Sequence, residues 1–155
     1  MEISYRIASL NDLKIISELS IEMCSGDFCG EHDENSIKEG LQNPQMALFL
    51  AFDGDKAVGY SYVYKRHEWI FTENEEGPFG YLDTIYVHPD YRKNGVARAL
   101  ASMCENWSRE NGCVEFASSC DLDNDNSLAF HLNIGFNETH RIIHFSKSLL
   151  PSALH

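Results

Sequence analysis

The stretch Tyr91-Arg92-Lys93-Asn94-Gly95-Val96-Ala97 holds residue types suited to gripping a phosphorylated ligand. It follows an apolar run, Tyr81 to Val87, and precedes a helical pattern, so it reads as strand, basic turn and helix start. Gly95 lets the backbone approach a ligand closely. The free N–H groups of a helix N-terminus, with the positive end of the helix dipole, favour a phosphate. Arg92 and Lys93 add charge. Just upstream lies Asp83, a carboxylate of the type that can carry charge and accept a proton. Further on lies His131, a side chain of the type that can give or take a proton near neutral pH.

Other reactive side chains offer less. Cys24, Cys29, Cys104, Cys113 and Cys120 contain no C-x-x-C pair, so a reduced thiol set is expected rather than a disulfide framework or a zinc site. Cys120 as a nucleophile would need a histidine base that no local pattern supplies. The histidines at 32, 67, 88, 140, 144 and 155 show no H-x-x-x-H or H-E-x-x-H spacing, so no metal is expected.

The 155 residues fit one domain spanning 1–155. A formal net charge of −12 argues against nucleic acid as a partner, since phosphates need basic surface. It suits a cationic substrate, because a negative cleft raises the local cation concentration. No apolar run approaches the roughly 20 residues that span a bilayer. With no basic-then-apolar N-terminus, the expected location is the cytoplasm, away from membranes.

The elements that must position these groups follow from periodicity. Residues 3–8 read as a strand, and Leu10, Leu13, Ile16 and Leu19 recur at helical spacing, with Ser9 or Asn11 as cap. A second helix is expected over 34–42, stopped by Asn43-Pro44. Met46–Phe52 and Ala57–Lys65 read as hairpin strands about the turn Asp53-Gly54-Asp55-Lys56. A polar connection over 66–80 leads to a strand at 81–88. The next helix, Gly95 to about Glu110, would bury Val96, Leu100, Met103 and Trp107. Strand 113–118, a short helix at 126–133 and a final β segment at 136–146 complete the order. This is a mixed α/β chain with many adjacent antiparallel strands.

The spacing Arg92-x-x-Gly95-x-Ala97, with the preceding strand and the His88-Pro89-Asp90-Tyr91 bridge, resembles the acyl-CoA pyrophosphate loop of the GNAT superfamily of N-acetyltransferases. Asn124 to Phe136 looks like that superfamily's second signature. Glu115-Phe116-Ala117-Ser118, Leu122-Asp123-Asn124, His131, Gly135 to Thr139 and Arg141-Ile142-Ile143 are similar to the aminoglycoside 6'-N-acetyltransferase branch. Arg66-His67-Glu68-Trp69 looks like that branch's Arg-His-Asp-Tyr segment. The branch usually carries glutamate where this chain has Asp83, and aspartate where it has Ser119.

The resemblance implies the GNAT fold, a central, mostly antiparallel sheet flanked by helices. It implies that strand 83–88 splays from its neighbour near a bulge, a place where ladder donors become exposed. Ile85 N–H would then hold the thioester carbonyl and Val87 N–H the pantetheine. Arg92, Lys93, Asn94, Gly95, Val96 and Ala97 would hold the pyrophosphate, with Asn124 positioning pantetheine or bracing its helix. Asp83 and His131 are the implied catalytic pair, because His131 occupies the slot where many members carry a tyrosine near the CoA sulfur. Glu68, Trp69, Asp83, Ser119 and Asp121 would border the acceptor. Asp83 and Ile85, two residues apart on a strand, are expected on one face.

The expected activity is acetyl transfer from acetyl-CoA to a primary amine, with an aminoglycoside 6'-amine as the leading acceptor, carried out by a homodimer. A polyamine, another small amine or a protein amine is the alternative acceptor. A CoA-binding module without turnover is the alternative of another class.

Overall fold

The computed structural model describes residues 2–24, 33–67 and 77–152. Five strands form one sheet in the order β1 (Ile3–Ile7), β2 (Met46–Asp53), β3 (Lys56–Arg66), β4 (Phe79–Val87), β5 (Glu115–Ser118). All neighbours are antiparallel except β4 and β5, which α3 (Val96–Glu110) joins as a parallel crossover. Helices α1 (Leu13–Met23) and α2 (Glu34–Gln42) precede β2, and α4 (Asp125–Asn133) follows β5. Single turns of 3-10 helix lie at Leu10–Asp12 and Pro89–Tyr91. The mixed, mostly antiparallel architecture expected from the sequence is present.

The sheet has two apolar faces. On one, Val58, Val63, Leu82 and Val87 pack against Val96, Leu100, Ala101 and Cys104 of α3. On the other, Leu48, Leu50, Tyr60 and Tyr86 pack against Ile16 and Leu19 of α1 and Ile37 of α2. Strand β2 is covered on both sides, and its central residues are buried without alternation. Helix α3 comes so close to β4 that a Cβ on Gly80 would lie 1.9 Å from Ser108 Oγ. Only glycine admits that approach.

Local chemistry sets the helix starts. Ser9 caps the first 3-10 turn, not Asn11, and its backbone N–H donates to Asp12 Oδ2 at 2.9 Å. Asp33 caps α2 by accepting from Ser36 N–H at 2.7 Å. Asn124 caps α4 by accepting from Ser127 N–H at 3.1 Å. Arg6 and Asp12 form a paired contact, 2.8 Å in each of two hydrogen bonds, that ties β1 to the start of α1.

Several expectations need correction. The final β segment at 136–146 is not a strand, because no strand among the described residues supplies its ladder partner. Strand β3 runs to Arg66 and β4 begins at Phe79, so the long connection is shorter than 66–80. Cys24 is disulfide-bonded, against a wholly reduced set, whereas Cys104, Cys113 and Cys120 are free thiols. Among the described residues no helix is long and apolar enough to cross a membrane.

Candidate active site

The site begins with a missing partner. Strand β5 pairs with β4 only from Phe79 to Leu82 and ends at Ser118, whereas β4 continues to Val87. At the same point Tyr62 pairs with Thr84 and Val63 with Leu82, which leaves Asp83 as the bulged residue of β4. The bulge and the splay implied by the resemblance are therefore both present.

Backbone directions follow from one contact. His88 N–H crosses to Val58 O of β3 at 2.7 Å. By antiparallel alternation, Tyr86 and Thr84 also direct their N–H groups to β3. Ile85 and Val87 then direct theirs to the opposite side, where β5 has ended. Arg92 Nε reaching Val87 O at 2.9 Å from that side agrees with this direction. Two ladder donors thus face the opening between the strands.

The bulge also changes where Asp83 points. Leu82, Ile85 and Val87 belong to the α3 face, whereas Tyr86 belongs to the face of α1 and α2. Asp83 accepts from Thr84 Oγ1 at 2.9 Å, and its charge acts on Tyr60, Tyr62 and Tyr64. Burial pushes the Tyr60 and Tyr62 phenols up to about 12, and the negative field of Asp83 adds to the rise. Asp83 therefore lies on the face of α1 and α2, opposite the Ile85 side chain. The expectation that the two share a face fails because strict alternation stops at a bulge.

A cavity of about 330 Å³ occupies the opening. Met23, Leu82, Asp83, Thr84, Ile85, Ser118, Ser119, Ser127 and His131 line it. Asp83 and His131, far apart in sequence, meet on this one slot. His131 Nδ1 lies 2.6 Å from Ser127 O, and a carbonyl only accepts, so Nδ1 carries a proton. His131 Nε2 lies 2.8 Å from Ser118 Oγ, and Ser118 Oγ donates to Leu82 O at 3.0 Å. The chain His131 to Ser118 to Leu82 thus clasps β5 to β4 at the point where they separate. Nε2 and Leu82 O share the Ser118 hydroxyl.

The basic loop lies at the far end of β4. Lys93 has φ +64° and Gly95 φ +80°, the left-handed conformations that turn the chain into α3. A Cβ on Gly95 would meet nothing within 4 Å, so the backbone conformation, not packing, favours glycine there. Asn94 Nδ2 donates to Arg92 O at 3.0 Å and braces the turn. The first N–H groups of α3, from Val96 and Ala97 onward, have no carbonyl one turn earlier in the helix. Tyr91 donates to Asp53 Oδ2 at 2.6 Å and pins the preceding 3-10 turn to the β2–β3 hairpin.

Other expected site residues are less central. Ser119 lines the slot, and its hydroxyl is hydrogen-bonded to Tyr81. Asp121 lines the adjoining groove, which shares Ser118, Ser119 and His131 with the slot, and not the slot itself. Asn124 is engaged as the cap of α4, which fits the bracing role. Glu68 and Trp69 lie outside the described residues. Sequence reasoning missed Ser118, Ser127, Met23, Thr84 and Tyr81. Ser118 ends β5, and it reaches the slot only through tertiary packing. Met23 comes from α1, and no spacing announces it.

The Acetyltransferase (GNAT) family profile matches residues 14–136. An aminoglycoside N(6')-acetyltransferase type 1 from Acinetobacter genomosp. 13 is 37% identical over 123 residues, which cover 77% of this chain and 84% of that protein. The structure of AAC(6')-Iy in complex with the bisubstrate analog CoA-S-monomethyl-acetylneamine matches with a TM-score of 0.86 at 28% identity, covering 96% of this chain and 99% of that one. The apo crystal structure of aminoglycoside 6'-N-acetyltransferase AAC(6')-IG from Acinetobacter haemolyticus matches with a TM-score of 0.80 at 32% identity and the same coverage, 96% and 99%. With its splayed strands, outward backbone donors and glycine turn before α3, the chain belongs to the GNAT acetyltransferase family.

Proposed function

We propose that the protein is a homodimeric enzyme that moves acetyl from acetyl-CoA to the 6'-amine of an aminoglycoside. The observation that carries this reading is the β4–β5 opening, which brings Asp83 and His131 to one slot beside the outward Ile85 and Val87 N–H groups. The relatives named aminoglycoside N(6')-acetyltransferase support the acceptor, and the CoA-linked analog bound by AAC(6')-Iy supports the donor.

In this reading the α3 N-terminus and the Arg92 to Ala97 loop hold the pyrophosphate. Val87 N–H holds the pantetheine amide, and Ile85 N–H polarises the thioester carbonyl as negative charge develops on its oxygen. Asp83 attracts the acceptor ammonium and takes its proton through water, which frees the nitrogen lone pair. The C–N bond forms, the nitrogen, now cationic, releases its second proton to water, the C–S bond breaks, and the electron pair leaves on the CoA sulfur. His131 supplies a proton to that thiolate, with the Ser118 hydroxyl as the intervening donor. Ser118 passes its own proton on and takes the one from Nε2. Ser119, uncharged and paired with Tyr81, gives a weaker hold on a cationic acceptor than an aspartate there would.

The test is thiol release with acetyl-CoA and two compounds, a 6'-amino aminoglycoside and its 6'-hydroxyl analogue, followed by mass and NMR assignment of the product. Acetylation at the 6' position of the first compound alone is expected. No turnover with any 6'-amino compound, beside efficient turnover of spermidine or a peptide, would overturn the acceptor and leave the family standing.

A further inference from the structure

Strand β3 alternates, so Tyr60, Tyr62 and Tyr64 share the face of α1 and α2. The helices cover only the first part of this row. Tyr60 is buried, and its hydroxyl donates to Met23 Sδ of α1 at 3.8 Å. Tyr62 lies beside α2, where a Cβ on Gly40 would come within 3.2 Å of its hydroxyl oxygen. Tyr64 and Tyr81, paired across β3 and β4, are only half-buried. Their rings lie 5.3 Å apart, and Tyr62 lies 5.9 Å from Tyr64.

Two charges flank this tyrosine floor. Asp83 stands at one end and Arg66 at the other. The Arg66 guanidinium lies 5.7 Å from the Tyr64 ring centre, 5.5 Å from Tyr81 and 5.9 Å from Phe79. Cations seat on aromatic faces in this way. The Tyr64 phenol lies in both fields. Burial raises it most, Asp83 raises it further, and Arg66 opposes the rise. Tyr81 is two residues from Asp83 along β4. At about 3.3 Å per residue that is about 7 Å, roughly the span of one sugar ring. The floor also continues the slot. Ser119 lines the slot, and Tyr81, whose hydroxyl is hydrogen-bonded to Ser119, lines the adjoining groove with Arg66.

The mechanism above uses Asp83 but neither the floor nor Arg66. Each makes its own demand on an acceptor. A tyrosine face suits the C–H face of a saturated ring. A guanidinium has N–H donors and no acceptor, so it favours a hydroxyl and repels an ammonium. In an aminoglycoside ring the 6'-amine hangs from C5', and C2' is the ring atom opposite C5'. A ring laid on the floor with its amine at Asp83 therefore turns its 2' substituent toward Arg66.

Resting on the acceptor in the proposed function, we propose that Tyr64 and Tyr81 carry the face of the ring that bears the reacting amine, and that Arg66 selects a 2'-hydroxyl over a 2'-amine. Net charge alone favours the opposite order. A chain that carries −12 should hold the acceptor with the extra amine more tightly. Arg66 makes the 2' position an exception.

The test is steady-state kinetics with kanamycin A and kanamycin B, which share the 6'-amine and differ in a hydroxyl or an amine at 2'. In the wild type kanamycin A should have a KM lower by at least about threefold, a size suited to one exposed charge contact. The two kcat values should be alike, because the 2' position is remote from the reacting atoms. Arg66→Gln keeps a donor for the hydroxyl and removes the charge, so the preference should vanish or invert. Arg66→Lys keeps the charge and should keep the preference. Tyr64→Leu removes a ring face and should raise KM for both compounds about tenfold, with acetyl-CoA affinity unchanged. The wild-type ratio needs no variant, so it answers even if a variant fails to fold. A wild type that prefers kanamycin B would overturn the inference and leave 6'-acetylation standing. So would a folded Arg66→Gln protein that keeps the wild-type ratio, or a folded Tyr64→Leu protein with both KM values unchanged. Acetylation of neither compound, beside turnover of spermidine, would overturn the acceptor reading and this inference together.

Discussion

Residues 46–108 and residues 113–150 share a sheet but treat apolar side chains in opposite ways. The first stretch buries Leu50, Val58, Tyr60, Val63 and Leu100 almost completely between two layers of helix. The second buries none of its residues, although it holds Ile142, Ile143, Phe145, Leu149 and Leu150. The active site lies on the seam. Asp83, Ile85 and Val87 belong to the packed part, whereas Ser118 and His131 belong to the open part. The packed part therefore fixes the acid and the backbone donors. The position of the histidine depends on how β5 and α4 are held, above all by the clasp to Leu82.

The sharpest way to break this contrast is to disarm the packed side of the seam. Asp83 is exposed on its bulge, so Asp83→Asn should leave the fold intact. It removes the charge and the proton acceptor. Turnover should fall on the order of 100-fold, the low end for a general acid–base group, with acetyl-CoA affinity little changed. Calorimetry for CoA beside thiol-release kinetics separates the two. Weakened CoA binding with normal turnover at saturation would move Asp83 out of the chemistry.

Stability should show the same contrast. Asp12 is buried at the start of α1, and the Arg6 guanidinium beside it holds its carboxyl below the usual carboxylate range. The Arg6 side is raised for the same reason, so the partners agree in direction. A lowered carboxylate stabilises the fold above its unfolded value and ceases to do so as pH falls through its folded value. Asp12→Asn should cost about 2 kcal/mol near neutrality, as expected for charge-assisted hydrogen bonds, and should flatten the loss of stability in acid. Urea midpoints at neutral and acid pH check both. By comparison, Ile143→Glu on the open side should leave the monomer's stability nearly unchanged, since that side chain is not buried within one chain.

The packed part was the more legible in sequence, for physical reasons. Val96, Leu100, Met103 and Trp107 announce α3 by period, and the Gly54 turn announces the β2–β3 hairpin. The phosphate loop is local, so strand, basic turn, Gly95 and helix could all be read from neighbours. The bulge is not local. Nothing in Leu82-Asp83-Thr84 distinguishes a residue that β3 leaves unpaired, so Asp83 was expected on the wrong face. Ser118 and Met23 reach the slot through tertiary packing that carries no spacing signature. The segment 136–146 shows the opposite error. Its residues favour a strand, but a strand is a property of a pair, and this one has no partner strand among the described residues.

The loop before α3 belongs to the packed side and should act on the donor alone. Gly95→Val would place a β-branched residue at φ +80°. The protein leaves room for the side chain, so the penalties fall on the turn and on ligand approach. Acetyl-CoA affinity should drop about tenfold, or about 1.4 kcal/mol, with acceptor KM unchanged. Unchanged CoA affinity in a folded variant would remove the loop from the site.

The smallest effect is expected where the open side meets the acceptor. Asp83 supplies charge from the packed strand, and Ser119 across the slot supplies none. Restoring a carboxylate with Ser119→Asp should lower the KM of a polycationic acceptor up to about fivefold, because an exposed ion pair is worth at most about 1 kcal/mol. Tyr81 can still donate to the new side chain, so the local hydrogen bond has a replacement. Salt then separates charge from shape. Raising salt from 0.1 M to 1 M shortens the Debye length from about 10 Å to about 3 Å, so most of the gain in KM should disappear. Acetyl-CoA affinity should respond equally in both proteins, since the substitution is remote from the loop before α3. If the gain survives high salt, the carboxylate acts through geometry, and the open side contributes shape rather than charge to acceptor binding. If no gain occurs at low salt, the acceptor's amines do not approach Ser119, and capture rests on Asp83 and the packed side.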